Sequence, residues 1–130
     1  MSTGCLGETN QTTLEPLQKD ASGHWVIPSE FRDKANPFTE TDASKTIGQK
    51  LYASNCIVCH GEEGKGDGLQ AMMLEPKPAD LHEPWVQENT DGTLFHIITA
   101  GAKDAAMPPF TGLSEEDRWH LVNYVRTFKT

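Results

Sequence analysis

Basic side chains are scarce in this 130-residue chain: 11 lysines and arginines stand against 19 aspartates and glutamates, a net charge of −8. That balance argues against nucleic acid as a partner, because phosphate binding runs on clustered cations. It suits a basic docking patch on a protein partner instead. The acidic excess is spread over the whole length, with 7 acidic and 3 basic residues in 1–44 and 12 and 8 in 45–130, so no charge block marks a tail. Long apolar runs are also missing. Nothing approaches the roughly 20 residues needed to span a bilayer, and the start, Met1-Ser2-Thr3-Gly4-Cys5, lacks the apolar region of an export signal. An exported form would have had that signal removed. Hydrophobic residues make up only 36% of the chain, a lean supply for the core of a single domain. There are three cysteines, two close together at 56 and 59 and one alone at Cys5.

Residues 1–44 show no helical or strand period, and Pro16, Pro28 and Pro37 interrupt them. Residues 1–20 are expected to form a loose tether. Trp25, Val26, Ile27, Phe31 and Phe38 are unlike the rest of this leader, so about 24–42 are expected to lie as an extended strap on the domain that follows. The division is therefore 1–43, tether and strap, and 44–130, the folded domain. Ser44 is a suitable N-cap for a helix from 45 to about 55, with Ile47, Leu51 and Tyr52 as its apolar stripe. The glycines between Gly61 and Gly68 predict a turn, and Pro76, Pro78 and Pro84 keep 75–84 extended or turned. Asp91 can cap a short helix over 93–100 that Gly101 ends. Ser114 opens the last helix, with Asp117 in the acidic position of a capping box; Leu121, Tyr124, Val125 and Phe128 share its apolar face. No convincing strand and no internal repeat is found.

The chemistry is concentrated in Cys56-Ile57-Val58-Cys59-His60. Two thiols separated by two residues, with histidine next, suit c-type haem attachment: each sulfur adds across one vinyl group and the imidazole falls under the iron. The competing readings are a redox dithiol and half a zinc site. A thioredoxin-like dithiol belongs in a βαβ pattern, which is absent. Zinc needs four ligands, and His24, His82, His96 and His120 are scattered. A haem would also give the lean core a large apolar surface to pack on. Candidates for the sixth iron ligand are Met72, Met73, Met107, His82, His96 and His120. A methionine is more often core filling than a ligand, but Met107 sits in a loop bounded by Gly101 and by Pro108-Pro109, which restrict it. Met107 is the expected ligand, and a thioether favours reduced iron and raises the potential.

From about residue 44 to its end the chain resembles the class I cytochrome c family, in bacterial form and with an N-terminal extension. Gly48 and Tyr52 resemble the glycine and aromatic of the family's first helix, and Leu121 and Tyr124 the leucine and aromatic of its last. The run Gly61-Glu62-Glu63-Gly64-Lys65-Gly66-Asp67-Gly68 resembles the glycine-rich segment after the haem histidine, and Gly101 to Met107-Pro108 the axial methionine loop. The resemblance implies an all-α fold of helices around one covalently attached haem, the first and last helices crossing nearly at a right angle. It implies a proline carbonyl as acceptor for the His60 Nδ1 proton, with Pro78 expected and Pro76 the alternative. Leu81 is expected to touch the haem. Trp85 either donates to a haem propionate or simply packs.

With both axial positions filled by the chain, the iron has no open site, so the expected role is single-electron transfer and not catalysis. The alternatives are a haem c module of a larger oxidase or dehydrogenase, and a haem enzyme or gas sensor with a displaceable sixth ligand. The expected partners are membrane-bound redox proteins: an oxidase, a quinol-oxidising complex or a reductase. The expected location is the periplasmic side of the cytoplasmic membrane. Ser2-Thr3-Gly4-Cys5 resembles the end of a bacterial lipoprotein signal, which would make Cys5 a lipid-bearing residue.

Overall fold

A computed structural model describes residues 17–21, 25–75, 77–102 and 107–130. Cys5, His24, Pro76 and most of the expected tether lie outside the described residues. Two helices form the frame. Helix α2, Asp42–Asn55, is capped by Thr41, whose side chain accepts from the Ser44 backbone N–H at 3.1 Å. Helix α6, Glu115–Val125, is capped by Ser114, which accepts from the Asp117 N–H. The expected cap of α2, Ser44, instead lies buried in its first turn. Its Oγ is 2.7 Å from His120 Nδ1 and accepts from Asn123 Nδ2 at 2.8 Å. A serine three residues inside the cap can tie α2 to α6, a use that capping preference alone does not reveal. The helix accordingly begins at Asp42, two residues before the expected division at 43/44.

At the crossing, a Cβ on Gly48 would collide with the His120 carbonyl and the Tyr124 Cβ. Only glycine lets these helices approach so closely. Behind the crossing, Tyr52, Trp119, Leu121 and Val122 are almost fully buried, and Phe95 stacks on Trp119 with ring centroids 4.0 Å apart. Phe95 belongs to helix α5, Asp91–Ala100, which Thr90 caps by accepting from the Thr93 N–H. Asp91 was the expected cap, but its carboxylate accepts from Arg126 Nε and Nη2 at 2.9 and 2.8 Å. A fork of two charge-assisted bonds is stronger than a neutral cap, so the threonine one position earlier takes the helix end.

The strap differs from its extended expectation. Strand β1, Gln18–Lys19, pairs antiparallel with β2, Trp25–Val26, and a single helical turn, α1, follows at Ser29–Arg32. Strands of two residues carry no readable alternation, which is why none was expected. The hairpin also reaches into the expected tether: Leu17 is buried with Ile27 against Ala100. Burying each of these two large side chains contributes about 1.5–3 kcal/mol before ordering entropy is subtracted. Further along, Phe31 stacks on His96 at 4.2 Å, Phe38 lies 4.7 Å from His120, and Asn36 donates to Asn123.

Candidate functional site

Cys56 follows α2 directly and starts the one-turn helix α3, Ile57–His60. The segment after it is knitted by backbone bonds. Gly66 N–H donates to the His60 carbonyl at 2.7 Å, Gly68 to Cys59 at 3.0 Å and Gln70 to Val58 at 2.9 Å. Gly66 has φ +81°, and a Cβ there would press on the Pro78 and Ala79 carbonyls, so the glycine-rich turn and the 78–81 segment interlock. The Leu81 N–H closes this arrangement by donating to the Gly64 carbonyl at 2.7 Å.

His60 Nδ1 lies 3.0 Å from the Ala79 carbonyl. A carbonyl only accepts, so Nδ1 carries the proton and Nε2 keeps the ring's free lone pair. Burial holds the imidazole below its ordinary pKa, and the smaller influence of the Ala79 bond opposes this. A neutral imidazole is the form a metal binds. The expected acceptor, Pro78, is corrected to Ala79. The acceptor follows the register of the backbone and not the identity of the proline, since any residue supplies a carbonyl. Pro78 itself lines the cavity described below. Burial, and next the neighbouring Cys59, push the Cys56 thiol up to about 12, so it stays protonated at neutral pH.

Opposite these residues, Gly101 ends α5 with φ +75°. A Cβ on Gly101 would meet the Met107 carbonyl and the Pro108–Pro109 backbone. Ala102 and Met107 exchange two backbone hydrogen bonds, 2.9 and 3.1 Å, and Phe110 N–H donates to the Ile98 carbonyl at 3.1 Å. Met107 is half-buried and lines the same cavity as His60. The other ligand candidates do not line it. Met72 and Met73 are 89% and 84% exposed. His82 binds Asp80, His96 stacks on Phe31 and His120 bonds Ser44.

The cavity has a volume of about 590 Å³. Cys56, Cys59, His60 and Met107 line it, and Leu81, Val86, Leu94, Ile98, Leu121 and Val125 give it an apolar interior. Two thiols, an imidazole with a free Nε2 and a thioether around one apolar chamber are the donors that a covalently held haem would need. Among the described residues no group of three or more His, Cys, Asp or Glu side chains could hold a metal ion alone. Leu81 is buried on the wall, and Trp85 stands at the cavity 54% exposed. Sequence reasoning missed Trp25 and Ile97, which also line the cavity. An aromatic in the strap was the available signal for the first; nothing separated Ile97 from an ordinary core residue.

Among the described residues no helix is long and apolar enough to cross a membrane. Residues 43–125 match the family described as cytochrome c oxidase, cbb3-type, subunit III. The chain is 26% identical over 117 residues to cytochrome c550 of Pseudomonas aeruginosa, covering 88% of this chain and 71% of that protein. Its structure is similar to part of the reducing HAO-like protein complex Kustc0457/Kustc0458 of Kuenenia stuttgartiensis. There the TM-score is 0.65 at 31% identity, over 72% of this chain and 47% of the other, so the chain spans about half of that relative. Cytochrome cL of Methylophaga aminisulfidivorans shares the fold, with a TM-score of 0.57 at 20% identity over 86% of this chain and 79% of the other.

Proposed function

The chain belongs to the cbb3-type cytochrome c oxidase subunit III family of c-type cytochromes, and on that premise we propose that Cys56, Cys59, His60 and Met107 together hold its haem. The protein is a mono-haem class I cytochrome c of all-α fold that binds haem c covalently and transfers electrons. When bound, the haem supplies one-electron chemistry at its iron.

The observation that carries the site assignment is the convergence of both thiols, the imidazole and the Met107 thioether on one apolar cavity. His60 offers Nε2, with its ring fixed through Nδ1 by the Ala79 carbonyl. Cys56 and Cys59 provide the thioethers. The Met107 sulfur would be the second side chain to hold the iron, and as a soft ligand it would favour the reduced state. Leu81, Val86 and Ile98 give the cavity apolar walls. With two side chains of its own to hold the iron, the protein would pass electrons and leave no site on the metal for a substrate. Protein made in cells with a haem-attachment system should carry one haem in its intact mass and keep it through acid–acetone extraction. The Cys56→Ala/Cys59→Ala double variant should release all of it. Extractable haem in the unmodified protein contradicts the assignment.

The proposed partners are membrane-bound donors and acceptors, an oxidase, quinol-oxidising complex or reductase, met on the periplasmic side of the cytoplasmic membrane. A lipid on Cys5 would keep the protein close to them and raise its effective concentration there. The small residues Ser2-Thr3-Gly4 before Cys5 support this reading. Cys5→Ser should then move the native gene product from the membrane fraction to the soluble fraction, and a wild-type product already soluble sinks it. The family's description favours a second reading, a haem c module held in a larger oxidase or dehydrogenase. Stable co-purification with such a complex would distinguish a fixed module from a carrier.

A further inference from the structure

The hairpin at the start of the described chain does more than cover surface. Leu17 is 5% exposed and, with Ile27, packs on Ala100; Trp25, Phe31 and Ile97 pack around this cluster. Ala100 is the last residue of α5, and Gly101 and Ala102 follow it. Ala102 is itself buried and makes the two backbone bonds that fix Met107. A single residue, Gly101, therefore separates the hairpin's anchoring point from the bridge that sets the methionine. At the same end, Trp25 and Ile97 line the cavity, so the cluster is continuous with the wall of the site.

We infer that Leu17 and Ile27 brace the Ala102–Met107 bridge as positioning residues: they hold Ala100, and through it Ala102, where the Met107 sulfur would stay on the iron. This rests on the reading of Met107 as the sixth ligand. The need for a brace follows from the chemistry of the ligand. A thioether is neutral and its bond to iron is the part of the site most easily exchanged for an external ligand. A small displacement of Ala102 would therefore change ligation before it changed the fold.

The test uses the full-length holoprotein and the Ile27→Ala, Ile27→Val, Leu17→Ala and Val26→Ala variants. In the oxidised state, the long-wavelength iron–sulfur band is followed with temperature beside the helical circular dichroism. In the reduced state, carbon monoxide binding is measured. Ile27→Ala should lose the band well below the temperature at which its helices melt. Its carbon monoxide-reactive fraction should rise about tenfold, equivalent to ~1.4 kcal/mol in the loop equilibrium. Ile27→Val should behave like wild type, as should Val26→Ala, whose side chain is 54% exposed on the neighbouring position. If Ile27→Ala does not accumulate as holoprotein, Leu17→Ala carries the same expectation. Variants that melt early while band and carbon monoxide reactivity stay at wild-type values overturn the brace, and so does an equal effect from Val26→Ala. Wild-type protein lacking the band refutes the Met107 assignment instead, and the brace with it; the two failures are thus told apart.

Discussion

The two faces of the haem cavity are built on different principles. The histidine face is local: within Cys56–Gly68 the proposed ligand His60, both thiols and the backbone acceptors that fix the following turn come from one stretch, and Ala79 and Leu81 lock onto it through the His60 and Gly64 bonds. The methionine face is assembled from distant parts: the end of α5, the Ala102–Met107 bridge and a hairpin some eighty residues earlier in the chain. Short-range closure costs little chain entropy, so the first face can form early and stay formed. The second depends on tertiary packing and is the face where ligation can be lost while the fold survives.

Replacing Met107, the proposed ligand of the second face, should give the largest change. Met107→Ala should abolish the long-wavelength band, lower the reduction potential and open the reduced iron to carbon monoxide, with the haem still attached. If Met72→Ala or Met73→Ala did this and Met107→Ala did not, the ligand assignment would be wrong. A matched pair of glycine variants sharpens the comparison. Gly66→Ala puts a Cβ at φ +81° against the Pro78 and Ala79 carbonyls and should cost roughly 2–4 kcal/mol of folding stability. Gly101→Ala, at φ +75° against the Met107 carbonyl, should weaken the band at a temperature where the helices persist. Denaturant melts read beside absorption decide it; equal coupling of band and fold in both variants would remove the distinction between the faces.

The smallest expected effect is one of pH. His96 is buried and stacked on Phe31, and burial holds its imidazole below the ordinary value. The unfolded chain takes up this proton near pH ~6.5 while the folded chain resists it, so stability is full above that pH and falls as pH drops below it. The slope is at most about 1.4 kcal/mol per unit for one proton. His96→Phe should flatten that part of the stability–pH curve, measured by urea denaturation between pH 7 and 5; an unchanged slope would assign the dependence to another group.

What could be read in the sequence divides along the same line. Cys56-Ile57-Val58-Cys59-His60 was legible because attachment chemistry fixes residue types at fixed spacing. Met107 stood out through its Gly and Pro boundaries. The acceptor for His60 was not legible, since any residue supplies a carbonyl and only register selects Ala79 over Pro78. Thr41 and Thr90 replaced Ser44 and Asp91 as caps because the latter two are engaged by partners distant in sequence, Asn123 and Arg126. The hairpin escaped notice for a related reason: its strands are two residues long, and its value lies in Ala100, some seventy residues away. Aromatic content signalled that the strap packs, but not that Trp25 lines the cavity.

The most direct test of a closed, two-ligand electron carrier is exposure of the reduced, haem-loaded wild-type protein to carbon monoxide at neutral pH, followed by visible absorption. The account predicts an unchanged spectrum, because with His60 and Met107 as the proposed ligands no position on the iron would be left open. Rapid, saturating formation of a carbon monoxide complex would contradict it and would place the protein among haem proteins that bind or transform small molecules.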